Sequence, residues 1–197
     1  MIYSDLDSTG FMIVNNELFN ISSRYRHMDI GDNMKINIPN SVMSIETNAF
    51  AHVYSVSEVN VPDGVHTIKS CAFFDMTGLK KITLPDSIIN MGIATFAGCR
   101  NLTEVNIPKR LTKIPLGMFS GCRSLKSIEL PKSLMSIEPE AFLSCSSLES
   151  IDIPDSVKYI GQHAFYRCKN LKEVTISKDC EYDLFTSFDP HIKVNKK

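Results

Sequence analysis

The chain has 197 residues, of which 43% are apolar and 22% charged, a composition typical of an ordinary folded domain rather than a disordered chain. Its formal net charge is −1 and its basic residues are scattered, so the sequence does not favour a nucleic-acid partner. No apolar stretch approaches the roughly 20 residues of a membrane span, so membrane insertion is not expected either.

Residues 1–32 are predicted to form an N-terminal hairpin cap and a loop. Residues 10–22 contain two apolar runs joined by Asn15 and Asn16. Asparagine tolerates the positive φ angles that tight hairpin turns require, so a hairpin is expected here. The segment 23–35 is polar, and we expect it to be a loop that connects the hairpin to the rest of the chain.

From residue 33 to residue 180 the sequence repeats every 23 residues. Two columns mark the register: Pro39, Pro62, Pro85, Pro108, Pro131 and Pro154; and Phe50, Phe73, Phe96, Phe119, Phe142 and Phe165. Each unit begins L-x-x-I-x-I-P, and its alternating apolar residues predict a short strand that ends at the proline, which cannot donate a hydrogen bond. A period of 20 to 29 residues with this opening indicates a leucine-rich repeat.

The second half of each unit is predicted to form one or two helical turns. Ala141, Phe142, Cys145 and Leu148 follow the spacing of one helix face, and Pro139 suits the first position of a helix. Since no unit can bury its apolar columns alone, the copies must stack. The predicted fold is an α/β right-handed leucine-rich repeat solenoid. Its short parallel strands line the concave side, its short helical turns line the convex side, and both ends are capped.

Residues 181–197 are predicted to form the C-terminal cap. In the seventh unit the proline is replaced by Ser177, and the repeat then fades. Aromatic and apolar residues beyond it are expected to cover the last coil: Tyr182, Leu184, Phe185 and Phe188. Residues 192–194 are predicted to add a final edge strand.

The consensus I-x-I-P-x-S-V-x-x-I-x-x-x-A-F-x-x-C-x-x-L, which extends from about residue 33 to residue 180, resembles the BspA-type leucine-rich repeats. The resemblance implies a recognition role: adhesion to host proteins, contact between cells, or other protein binding. It implies no particular partner, because the signature consists of core positions. Met1–Asp7 lack the basic and apolar regions of a secretory signal, so a cytoplasmic location is expected. Surface display, with an adhesin role after export by another route, stays open.

The six cysteines favour neither disulfides nor a metal. Four of them share one repeat column with Val53 and Met76: Cys99, Cys122, Cys145 and Cys168. We expect this column to be a buried row of reduced thiols. Cys71 and Cys180 lie outside the column and are expected to be more accessible.

No metal, cofactor or catalytic residue is predicted. The histidines have no metal-ligand spacing, and most of them are expected at the surface: His27, His52, His66, His163 and His191. Asp5–Gly10 resembles the start of a calcium loop, but the twelfth position is Asn16 instead of the required glutamate. Motifs for a nucleophile or a phosphate loop are absent from the sequence, so an enzyme is not expected.

The candidate binding surface consists of the strand residues that alternate with the buried ones. This outward stripe contains Glu58, Asn60, Lys81, Thr83, Glu104, Asn106, Ser127, Glu129, Ser150, Asp152, Glu173 and Thr175. All of them except Ser127 and Ser150 are predicted to contact a partner. Five carboxylates and one lysine make the stripe mildly acidic, which favours another protein with a basic or hydrogen-bonding surface. A merely solvated sheet face, a structural or self-associating protein, and an enzyme site built across repeats are the alternatives.

Overall fold

The computed structural model describes residues 10–21, 34–183 and 185–197. The predicted loop over 23–35 lies almost entirely outside these ranges, as do His27, Leu184 and most of Asp5–Gly10. The described residues form a stack of about seven coils around one continuous apolar core. The predicted repeat solenoid of parallel strands is thus confirmed.

The described ranges contain seventeen β-strands and no α-helix. In chain order the strands are β1 (Phe11–Val14), β2 (Glu17–Ile21), β3 (Met34–Asn37), β4 (Ser44–Ile45), β5 (Val56–Asn60), β6 (Thr67–Ile68), β7 (Lys81–Thr83), β8 (Asn90–Met91), β9 (Glu104–Val105), β10 (Lys113–Ile114), β11 (Ser127–Ile128), β12 (Ser136–Ile137), β13 (Ser150–Ile151), β14 (Tyr159–Ile160), β15 (Glu173–Ile176), β16 (Glu181–Tyr182) and β17 (Lys193–Lys196). From β3 onward, the odd-numbered strands form a first row and the even-numbered strands form a second row.

The first row contains the predicted I-x-I strands. Wherever two of its neighbours pair, they are parallel, and up to β15 equivalent residues stand opposite each other: Val59 pairs with Ile82, and Ile128 with Ile151. This register puts the apolar side chains of every coil on the core side and leaves the alternate residues outside. β17 pairs in parallel with β15, so the edge strand expected near residues 192–194 is present.

The second row was not predicted. Its two-residue strands follow the proline turn of each coil, and in each of them the second residue points into the core, as Ile45 and Ile137 do. The N-terminal hairpin extends this row, because β2 pairs in parallel with β4. β1 and β2 are joined at Asn15 and Asn16, whose φ angles are 50° and 64°, so the hairpin was predicted correctly.

The predicted helical turns are wrong. In each repeat coil two residues four apart adopt left-handed φ angles on either side of the phenylalanine, such as Glu140 (59°) and Ser144 (61°) around Phe142. Left-handed residues interrupt a right-handed helix. The N–H groups of these three residues donate to carbonyls of the next coil at 2.8–2.9 Å, so they are not available for helical bonds. We call this succession of turns the Ala-Phe wall.

The phenylalanine column forms a fully buried stack of rings. Adjacent rings from Phe50 to Phe165 lie 5.0–5.5 Å apart, centroid to centroid. Phe188 adds a seventh ring 5.3 Å from Phe165. At the other end, Phe11 of the hairpin meets Phe50 edge-on at 6.4 Å. Side chains from both terminal segments therefore close the stack.

The cysteine column lies beside this stack, as predicted. Each of its thiols is buried and donates to the carbonyl of the phenylalanine one coil earlier, as Cys145 does to Phe119 at 3.1 Å. Burial raises the pKa of Cys99 and Cys168 to about 12, so both thiols stay protonated. Cys71 is half-buried, but the prediction that Cys180 is accessible is wrong. Cys180 occupies the column of a core valine and points inward.

Asp189 terminates the Ala-Phe wall at its C-terminal end. In the preceding coils the N–H equivalent to that of Arg167 donates to a carbonyl of the next coil. For Arg167 the acceptor is the Asp189 carboxylate, at 2.9 Å. His191 holds this carboxylate through Nδ1 at 2.9 Å, and its Nε2 lies 3.0 Å from the Leu171 carbonyl. Burial alone would raise the pKa of Asp189, but the hydrogen bonds from His191 and Arg167 outweigh it and lower the pKa.

We expect Asp189→Ala to lower the free energy of unfolding by about 1–2 kcal/mol at pH 7, because two charge-assisted hydrogen bonds are lost. A lowered folded-state pKa means that the carboxylate stabilises the fold above its ordinary value of 3.8. This contribution disappears as the pH falls below 3.8 through the folded-state pKa. Urea unfolding should therefore show that the difference in the free energy of unfolding between wild type and variant becomes smaller from pH 5 to pH 3. Asp179→Ala is the control, and a difference that stays constant to pH 3 would contradict the assignment.

Candidate functional site

The ten predicted contact residues and the two serines lie on the outer face of the first row in two parallel columns. The columns are Glu58, Lys81, Glu104, Ser127, Ser150 and Glu173; and Asn60, Thr83, Asn106, Glu129, Asp152 and Thr175. Ten of these twelve side chains are exposed, while Glu58 and Asn60 are half-buried. The strand alternation therefore places the stripe as predicted, although its members differ in their partners.

The N-terminal half of the stripe is internally paired. Lys35 Nζ lies 2.6 Å from a Glu58 carboxylate oxygen, and Lys81 Nζ lies 2.9 Å from Glu104. The hydrogen bond from Lys35 lowers the pKa of Glu58, and the hydrogen bond to Glu104 raises the pKa of Lys81. Asn60 Nδ2 donates to its counterpart Asn37 at 2.7 Å. Two of the five carboxylates are thus neutralised by lysines of the adjacent coil.

Asn106 has a structural role in its present arrangement. Its Oδ1 accepts a hydrogen bond from the N–H of Leu84 at 2.9 Å, and its Nδ2 donates to the carbonyl of the same residue at 2.6 Å. These bonds replace backbone pairing, because β9 ends at Val105. The Asn106 amide is therefore already engaged within the protein.

The C-terminal half of the stripe contains the unpaired charges. A shallow groove of about 660 Å³ runs along it. Its polar lining consists of six stripe residues, Ser127, Glu129, Ser150, Asp152, Glu173 and Thr175, with Glu149 and Lys172 beside them. We call the six stripe residues the acidic groove. Within the described part of the chain, Glu129 and Asp152 have neither an ion pair nor a side-chain hydrogen bond, whereas Glu173 accepts a hydrogen bond from Asn195 at 3.2 Å.

Repulsion between neighbouring carboxylates is built into the acidic groove. Glu129 and Asp152 are equivalent positions of adjacent coils, and they follow strands that pair in register. Side chains in such positions stand about 5 Å apart at Cβ, and like charges there are unfavourable. A cation bound between them would relieve the repulsion and supply the missing counter-charge. The groove is therefore suited to a lysine or arginine side chain.

Sequence reasoning missed a second exposed surface. Several apolar side chains project on or beside the second row: Val14, Phe19, Met43, Ile89, Ile93, Leu116, Met135 and Tyr159. Met43, Ile89 and Met135 occupy one repeat column, so the column was visible in the sequence once the period was known. The sequence pattern did not assign this column to a strand, because the second row was not predicted.

The described ranges show no metal centre. No three His, Cys, Asp or Glu side chains in residues 10–21, 34–183 and 185–197 are grouped so as to hold a metal ion. Of the predicted surface histidines, His52, His66 and His191 are exposed, and His163 is half-buried. No helix in these same ranges has the length and apolar character that crossing a membrane requires.

Comparison with known proteins gives one family and several solved structures. The family model described as BspA type leucine rich repeat region matches six copies over residues 20–146 and 92–189. A leucine rich cell surface protein from Faecalibacterium prausnitzii is 29% identical, with a TM-score of 0.60, over 72% of this chain and 47% of its own. A leucine rich repeat protein from T. pallidum is 25% identical, with a TM-score of 0.75, over 88% of this chain and 85% of its own.

A leucine-rich repeat protein from Eubacterium ventriosum shares the fold at 22% identity and a TM-score of 0.71, over 85% of this chain and 46% of that one. This chain thus spans about half the length of the Faecalibacterium and Eubacterium proteins. No curated protein sequence matches it.

Proposed function

Because this chain belongs to the BspA-type leucine-rich repeat family, we propose that it is a protein-binding repeat module and that its partner docks on the acidic groove. Stacked repeats present extended surfaces on which variable side chains are displayed by a constant core, and such surfaces serve binding more often than catalysis. The observation that carries the proposal is the pair of exposed carboxylates, Glu129 and Asp152, which form no ion pair in the described part of the chain.

The partner surface that fits this groove is basic. Elsewhere on the stripe a lysine of the adjacent coil faces the carboxylate, as Lys35 faces Glu58 and Lys81 faces Glu104. At Glu129 and Asp152 the equivalent cation would come from the partner. Ser127, Ser150 and Thr175 flank the carboxylates with hydroxyl groups that can donate to or accept from a polypeptide backbone.

The test is a charge reversal, Glu129→Lys/Asp152→Lys. Both side chains are exposed, so the variant is expected to fold with an unchanged melting temperature. Capture of partner proteins from the cells that make this protein, quantified by mass spectrometry, should fall at least about tenfold, because two attractive charge pairs become repulsive. Capture by the wild type should also fall when the salt concentration is raised.

Asp63→Lys/Glu181→Lys is the matched control, since it makes the same change of charge at exposed positions outside the stripe. This control variant should capture the same partner proteins as the wild type. If the groove variant captured the same proteins as the wild type, the acidic groove would not be the docking face. Light scattering that showed a concentration-dependent oligomer in place of a partner would favour the self-associating alternative.

The compartment is a separate proposal. The sequence predicts a cytoplasmic location, whereas the Faecalibacterium protein of similar fold is described as a cell surface protein. That similarity supports surface display as the alternative, in which the module would act as an adhesin. Protease treatment of intact cells distinguishes the two, because only a displayed chain would be digested.

A further inference from the structure

A basic pocket lies at the end of the Ala-Phe wall and on the turns that follow it, and it shares no residue with the acidic groove. It has a volume of about 250 Å³ and is lined by Arg123, Ser144, Ser146, Arg167 and Lys169. The lining consists of three cationic side chains and two hydroxyl groups, without a carboxylate. Such a set of donors favours an anion.

The repeat register arranges these side chains on three successive coils. Arg123, Ser146 and Lys169 are 23 residues apart in one column, and Ser144 and Arg167 are 23 apart in another. Since neighbouring coils are separated by about 4.8 Å, the backbones at Arg123 and Lys169 are about 10 Å apart. The two serines lie on the coil between them, so the pocket has cationic side chains on the coils on either side of its hydroxyl groups.

The charges of this pocket are not neutralised within the described structure. By contrast, several exposed lysines pair with a carboxylate of an adjacent coil, as Lys109 does with Asp86 at 2.8 Å. Within residues 10–21, 34–183 and 185–197, the side chains of Arg123, Arg167 and Lys169 form no ion pair. The guanidinium of Arg167 has only the ring of its neighbour Tyr166 beneath it, 5.8 Å from the centroid.

Two of the lining residues occupy left-handed backbone positions. Ser144 and Arg167 each have a φ angle of 61°; the same column holds His52 at 61° and Asp75 at 52° in the first two coils, and Gly98 at 79° and Gly121 at 75° in the next two. Glycine adopts this conformation without the steric cost that a side chain incurs.

We propose that this basic pocket binds the phosphate group of a phosphate monoester. Three positive charges complement a dianion better than a monoanion, and an arginine can donate two parallel hydrogen bonds to phosphate oxygens. The Ser144 and Ser146 hydroxyls can donate to the remaining oxygens. The Ser146 hydroxyl is only weakly engaged at present, 3.5 Å from the Arg123 carbonyl. The site is independent of the acidic groove.

Calorimetric titration with phenyl phosphate and phenyl sulfate tests the charge argument, because the two probes have nearly the same shape. At pH 7.5 phenyl phosphate is expected to bind at least about tenfold more tightly than phenyl sulfate, since it carries the larger negative charge. The advantage should shrink at pH 5, below the second pKa of a phosphate monoester at about 6. Equal affinities at pH 7.5, or no binding of either probe, would overturn the proposal.

A paired variant tests the location. Arg123→Gln/Lys169→Gln removes two exposed cations and should weaken phenyl phosphate binding at least about tenfold without changing the melting temperature. Arg110→Gln/Lys113→Gln makes the same charge change at exposed positions outside the pocket and should leave the affinity within about twofold. Equal weakening by both variants would attribute binding to overall charge and refute the pocket. Glu129→Lys/Asp152→Lys should retain the phosphate site, which separates this test from that of the acidic groove.

Discussion

Replacing Phe119 with alanine is expected to lower the free energy of unfolding by about 3–5 kcal/mol. Its ring is fully buried and stacks on Phe96 at 5.5 Å and on Phe142 at 5.4 Å. The variant loses the burial of a whole aromatic side chain and both ring contacts, and it leaves a cavity in the centre of the stack. Urea unfolding followed by circular dichroism measures the change.

Phe185→Ala is the control for this experiment. Phe185 is 87% exposed, so its removal should change the free energy of unfolding by no more than about 0.5 kcal/mol. A loss below about 1 kcal/mol for Phe119→Ala would mean that the ring stack contributes little. The core as described here would then be incorrect.

Replacing Gly78 with alanine is expected to cost about 1–3 kcal/mol, because the added methyl group has no room. A Cβ atom at this residue would lie 1.9 Å from the carbonyl oxygen of Tyr54 and 3.2 Å from that of Val56. Both are backbone atoms, so a whole segment of chain would have to move. Alanine also restricts the unfolded chain, but the resulting gain of about 0.4–1 kcal/mol is smaller than the cost of the clash.

Ser147→Ala provides the comparison for Gly78, because Ser147 occupies the same repeat column three coils later and already has a Cβ atom. Its truncation should change stability by no more than about 0.5 kcal/mol. Thermal and urea unfolding of both variants would show the contrast. Equal stabilities for Gly78→Ala and wild type would mean that the two coils are further apart than the structure indicates.

The fold could be predicted wherever identical side chains recur at a fixed interval. The parallel first row, the phenylalanine stack and the buried cysteine column all follow from strict 23-residue spacing, because stacked copies must place like residues together. The hairpin could be predicted from two apolar runs joined by Asn15 and Asn16. In both cases the information is local or periodic.

The Ala-Phe wall could not be predicted in the same way. Its spacing resembles that of one helix face, and Ala94 and Glu140 are good helix formers in positions that turn out to be left-handed. The deciding interactions are hydrogen bonds to the next coil, 22 residues away, which no local pattern reports. Glycines at positions 98, 117 and 121 were the available signal, since glycine adopts positive φ angles readily.

Within the stripe, alternation predicted which side chains face outward but not which are unpaired. The ion pair of Glu104 depends on Lys81, which occupies the same column one repeat earlier, so this pair could have been predicted from the sequence. The hydrogen bonds of the Asn106 amide depend on the end of β9 at Val105. The sequence does not reveal where so short a strand ends. The acidic groove is therefore a finding of the structure within a surface that the sequence predicted.

The Ala-Phe wall also has an electrical polarity of its own. The backbone N–H groups of its left-handed residues and its phenylalanines all donate in the same direction, to acceptors of the following coil. Peptide dipoles aligned in this way add up as they do along an α-helix, with the positive pole where the last N–H groups point. That pole is the C-terminal coil, so Asp189 corresponds to the acidic residue that caps the start of a helix.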